Sequence, residues 1–134
     1  MQQHRRFVKT HTPADGVPWW PTASYIVVLR DGRDAFMSLL NHNAKMRPEI
    51  VAQVNAAAEA DGGQPLYWRG DPHEDFPRWL ASDDSAPAYL ASWWPRRGEA
   101  NVLLVHYNDL KADLDGEMRI IAAFLGVVVP AGLW

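Results

Sequence analysis

The chain has 134 residues, of which 48% are hydrophobic and 22% charged. That is enough apolar material for one domain with a modest core, and it excludes a disordered segment. A net charge of −3 and a pI near 5.9 offer no bulk attraction to nucleic acid or an anionic membrane, so any anion site has to be local. The absence of cysteine excludes disulfides and thiolate chemistry. No apolar run is long enough for a membrane span, and the polar start Met1-Gln2-Gln3-His4-Arg5-Arg6 leads into no apolar leader core, so a soluble, cytoplasmic protein is expected.

In chain order, Arg5 to Lys9 alternate weakly and predict a short strand that delivers Thr10 and His11 to its end. Pro13, Gly16, Pro18 and Pro21 then forbid regular structure. Tyr25-Ile26-Val27-Val28-Leu29 is apolar without alternation, which predicts a strand of a parallel sheet covered on both faces. Arg30 ends it. Gly32 permits the exit, Asp31 is the expected N-cap of a helix, and Asp34 falls in the first turn, where acid is favoured. Ala35/Leu39 and Phe36/Leu40 form the apolar side of that helix, which is expected to run to about Met46.

Pro48 opens a second helix, from Glu49 to about Ala60, which stops at Gly62-Gly63. Between Gln64 and Arg97 the aromatic clusters Pro65-Leu66-Tyr67-Trp68, Phe76–Leu80 and Tyr89–Trp94 predict short helices separated by loops. Asn101–Tyr107 reads as a further buried strand, and Asn108-Asp109-Leu110 as a turn or short helix. A last helix runs from about Gly116 to Leu125, with Met118, Ile121, Ala122 and Leu125 on one side and Gly126 as its stop. Strand and helix alternate without repeats. The expected fold is therefore α/β, a parallel sheet flanked by helices, with residues 1–134 as one domain.

Arg30 beside the free N–H groups of a helix start makes a cradle for phosphate, and Ser38 adds a hydroxyl about a turn further in. The competing reading pairs Arg30 with Asp31 or Asp34 at the sheet edge. His11 offers an imidazole, a side chain suited to general-base chemistry, or is a histidine satisfied by a backbone carbonyl at a strand end. Trp19, Trp20, Trp68 and Trp79 either wall an apolar ligand pocket or pack in the core. The histidines lack paired ligand spacing, so no metal site is expected, and no Gly-x-Ser-x-Gly or dinucleotide fingerprint occurs.

Three segments together resemble the cytosolic-type sulfotransferase family, whose members use 3′-phosphoadenosine 5′-phosphosulfate. These are the strand followed by Arg30, Arg33, Asp34 and Ser38; Lys9-Thr10-His11-Thr12-Pro13; and Tyr107-Asn108-Asp109-Leu110-Lys111 with Phe124-Leu125-Gly126. Ser92-Trp93-Trp94 is similar to a further stretch of that family. The resemblance implies a partial P-loop nucleotide-kinase-like fold and transfer of a sulfuryl group to a small hydroxyl or amine acceptor, without metal, and the aromatic enrichment of the chain points to an apolar acceptor. It also implies roles: Arg30 and Ser38 hold the 3′-phosphate, Tyr107 lies beside adenine, His11 is the base, and Lys9 offsets charge on the transferred group.

Asp31-Gly32 stands where the family has Asn-Pro, and Asn108 where Glu is common. The resemblance spans roughly Arg6 to Val127, the middle of a full member. The family's phosphosulfate loop and its late Arg-Lys-Gly segment are not among these residues, so the expected domain is incomplete. The alternative expectation is a non-catalytic binding module of the same fold, associating as a homo-oligomer through an open sheet edge. A nucleotide-monophosphate kinase is a third reading, disfavoured by the missing Walker-type loop.

Overall fold

Both long apolar runs of the sequence become strands, and they lie side by side. The computed structural model describes residues 6–63, 70–83 and 85–134. Strand β1 (Tyr25–Leu29) pairs in parallel with β2 (Val102–His106), in a register that sets Tyr25 against Val102 and Leu29 against His106. Helices α1 (Gly32–Asn43), α2 (Pro48–Ala60), α3 (Pro72–Leu80) and α4 (Ala86–Trp93) lie between them in sequence. After β2 come α5 (Tyr107–Ala112) and α6 (Leu114–Phe124). The predicted α/β architecture with a parallel sheet is the one observed.

Local chemistry sets the helix boundaries. The Asp31 carboxylate accepts the Arg33 N–H at 2.9 Å to start α1, Asp71 accepts the His73 N–H at 2.8 Å to start α3, and the Ser85 hydroxyl accepts from Ala88 at α4. Asp113 caps α6 by accepting the Gly116 N–H at 2.9 Å, and a Cβ on Gly116 would collide with that carboxylate. Gly126 closes α6 at φ 63°, the left-handed conformation that suits glycine.

Two apolar clusters hold these elements. On one face of the sheet Val27 and Val102 pack with Trp93 of α4 and with Ala14 of the proline-rich loop. Trp19 stacks on Tyr25 at 4.7 Å, and the Tyr25 hydroxyl donates to the Pro18 carbonyl, so the loop is anchored to β1. Phe36 of α1 and Trp79 of α3 are buried together, ring centres 5.2 Å apart, with Phe76 against both.

Several expectations are corrected. Arg6–Lys9 form no strand, and Phe7 and Val8 are 79% and 89% exposed. A strand exists only where a neighbour completes its hydrogen-bond ladder, and none meets this segment among the described residues. β1 is not covered on both faces: Val27 is buried, whereas Ile26 and Val28 on the opposite face are 37% and 54% exposed. On that face α6 packs over β2, burying Val105, and leaves the β1 side bare. Helix α1 ends at Asn43, short of Met46, and the last helix begins at Leu114 because Asp113 is its cap. The aromatic cluster at 65–68, Trp68 included, lies outside the described residues.

Candidate functional site

The parallel register brings the carboxyl ends of both strands to one edge, and the residues just beyond them are Arg30 and Tyr107. A ligand is expected at this edge of an α/β sheet. Arg30 leaves β1 immediately before the α1 cap, while Tyr107 is the first residue of α5. The His106 ring nitrogen Nδ1 accepts the Asn108 N–H and so helps fix that helix start. The Arg30 guanidinium rests over the Tyr107 ring, 4.7 Å from its centre. This is a cation–π arrangement, strengthened where water is partly excluded.

Arg30 and the acids around it are only loosely matched. Its NH2 group is 3.7 Å from Asp34, a distance too long for a good hydrogen bond, and the pair is 35% and 56% exposed. The Arg30 Nε is buried and has no hydrogen-bond partner among the described residues. Asp31 is engaged by Arg33 instead, through Nε to Oδ1 at 3.2 Å and NH2 to Oδ2 at 3.1 Å. Those side-chain bonds, with the Arg33 backbone N–H, hold the Asp31 carboxyl down at about 2, and the same contact raises the Arg33 guanidinium. Of the two acids able to neutralise Arg30, one is thus committed elsewhere.

Among the other expected site residues, Ser38 lies exposed on α1. Lys9 and His11 are exposed in the segment before the loop, and within the described residues no hydrogen bond, ion pair or ring contact joins either to Arg30, Ser38 or Tyr107. His11 is followed at once by structure: Thr12 donates its N–H to Thr10 Oγ1, and the Ala14 N–H binds Ser92 Oγ on α4 at 3.0 Å. Trp79 belongs to the core rather than to a pocket wall, and Trp20 is exposed.

Lys111 is a residue to which the sequence pattern alone assigns no role. Its ammonium reaches the Tyr107 ring at 5.8 Å, one turn along α5. The i, i+4 spacing of Tyr107 and Lys111 is the signal that finds it. Two further open clefts occur, the first of them also lined by Arg33. One, of about 320 Å³, sits between α1 and α3 beside Phe36, Met37 and Phe76, and the other, of about 420 Å³, lies along Leu90, Trp94 and Pro95. Both are apolar hollows without a convergent charge constellation, so the strand-end edge is the better site. No cluster of three or more metal-ligating side chains occurs among the described residues.

Comparison with known proteins places the chain in a family. A family model described as Sulfotransferase domain matches residues 1–132. A glycolipid sulfotransferase of Mycobacterium bovis (strain BCG) is 35% identical over 151 residues, covering 94% of this chain and 46% of the relative. Sulfotransferase 1 family member D1 of Rattus norvegicus is 29% identical, covering 96% of this chain and 40% of its own length. The chain therefore spans less than half the length of these curated relatives. In three dimensions it is similar to the crystal structure of mouse sulfotransferase SULT7A1 complexed with PAP, with a TM-score of 0.59 and 20% identity over 82% of this chain and 34% of that one.

Proposed function

The chain belongs to the sulfotransferase domain family, and from that premise we propose that it takes part in sulfuryl transfer from 3′-phosphoadenosine 5′-phosphosulfate, with the edge at Arg30 and Tyr107 as the nucleotide site. The observation that carries this reading is the guanidinium poised over an aromatic ring at the strand ends, with one N–H that has no acceptor among the described residues. An oxyanion supplies that acceptor, and Tyr107 offers a flat partner for a purine. In this reading Arg30 and Ser38 bind the 3′-phosphate. Residues 1–134 are read as a single sulfotransferase-like domain that spans less than half the length of the curated relatives it matches.

The reaction follows from the charges involved. The acceptor oxygen attacks sulfur in line, His11 takes the hydroxyl proton, and the bond between sulfur and the 5′-phosphate oxygen breaks. The products are a sulfate ester and 3′-phosphoadenosine 5′-phosphate. No metal is needed in this scheme, because Lys9 offsets charge on the moving group. By name, the mycobacterial relatives act on glycolipids. A sugar-bearing lipid hydroxyl is accordingly the first acceptor class to assay.

A second reading, a binding module that retains the scaffold and associates with another chain, is favoured by one observation: Ile26 and Val28 expose an apolar face of β1. Calorimetric titration with 3′-phosphoadenosine 5′-phosphate, alongside measurement of the oligomeric state, separates the two. Micromolar binding by the monomer supports the first, and a defined oligomer without nucleotide binding supports the second.

A further inference from the structure

The pose of Arg30 is a compromise. Its guanidinium is stacked on Tyr107 and drawn by Asp34 from the first turn of α1, yet the Nε N–H is buried without an acceptor among the described residues. A guanidinium carries five N–H donors, and leaving a buried one unmet has a real cost. The arrangement therefore uses Arg30 as a charge but not as a fork. Asp34 is the acid that reaches it, because Asp31 is held in two-point contact by Arg33.

We propose that Asp34 is an internal rival of the nucleotide for Arg30: its carboxylate holds the guanidinium in a resting pose over Tyr107, and an incoming phosphate must displace it to bind. This rests on the reading of Arg30 as the phosphate ligand and adds the residue that sets how tightly the site closes. Phosphate binding meets two costs here. The exposed ion pair must be given up on binding, and the carboxylate then remains as a like charge one helical turn away from the phosphate. The stacked guanidinium also covers the Tyr107 face it rests on, so drawing Arg30 off the ring frees that face for the base. Phosphate engagement and base stacking are thereby coupled through a single side chain. Asp34 is a positioning residue on this account, since it acts through Arg30.

The test is titration of the wild-type chain and of the Asp34→Asn, Arg30→Ala and double variants with 3′-phosphoadenosine 5′-phosphate and with inorganic phosphate, at two salt concentrations. Asp34→Asn preserves the side-chain shape while removing the charge, and thermal unfolding checks that it folds. The expected result is roughly two- to tenfold tighter binding of both probes by Asp34→Asn, shrinking as salt rises, and no gain from the same change in the Arg30→Ala background. Equal or weaker binding by Asp34→Asn, with Arg30→Ala still impaired, overturns the rivalry and leaves the phosphate site standing. Unchanged binding by Arg30→Ala, or no binding by any form, overturns both. A gain that persists in the Arg30→Ala background also overturns the rivalry, since Asp34 would then act by general charge alone.

Discussion

Arg30 and Tyr107 stand 77 positions apart in sequence, yet the guanidinium lies 4.7 Å from the centre of the ring. The parallel register of β1 and β2 produces this meeting: Leu29 and His106 are partners, so the residue that follows each emerges at the same edge. Basic side chain and aromatic ring are thus set by the sheet itself.

The core that supports α1 is predicted to be sensitive at Trp79. This indole is 4% exposed and touches Phe36 and Phe76, with ring centres 5.2 and 6.0 Å away. Trp79→Ala should cost roughly 3–5 kcal/mol in chemical denaturation, a large part of a small domain's stability. A loss below about 1 kcal/mol would mean that the aromatic cluster is not what holds α1 against α3.

Acid sensitivity should trace partly to Asp31. Its carboxyl is held at about 2, below the ordinary 3.8, first by the Arg33 side-chain hydrogen bonds. A depressed folded-state value gives stability that is fully present above pH 3.8 and is lost as pH falls through about 2. Asp31→Asn keeps a capping side chain but cannot titrate. Circular dichroism melts between pH 4 and 2 should show a shallower decline for this variant than for the wild type; parallel curves would contradict the assignment.

His11→Ala should separate chemistry from binding. As the proposed base, its removal is expected to lower sulfuryl transfer by about 10²-fold or more while affinity for 3′-phosphoadenosine 5′-phosphate stays within about twofold. Turnover unaffected by the substitution would remove His11 from the mechanism. A wild-type chain that transfers no sulfuryl group to a broad panel of hydroxyl acceptors would favour the binding-module reading instead.

Local signals made much of this architecture legible in the sequence. The unbroken apolar runs gave away β1 and β2, Asp31 marked the start of α1, and Gly126 marked the end of α6, because strand propensity and helix capping are decided within a few residues. Long-range facts were not legible in that way. Arg6–Lys9 have strand-like alternation but no described neighbour to pair with, and Ile26 and Val28 are apolar yet uncovered on one face. Trp79 reads equally well as pocket wall or core until Phe36 and Phe76 are seen around it. At the site, Arg30 and Tyr107 were each visible as family motifs, but their contact, the commitment of Asp31 to Arg33 and the reach of Lys111 belong to three-dimensional packing.

The central claim is that Arg30 and Tyr107 form one nucleotide-binding edge, and a double-mutant cycle on affinity for 3′-phosphoadenosine 5′-phosphate tests it most directly. Arg30→Ala and Tyr107→Ala should each weaken binding, about tenfold or more for the arginine, with a coupling of at least about 0.5 kcal/mol between them. Strictly additive losses, or an Arg30→Ala variant that binds as the wild type does, would contradict the account.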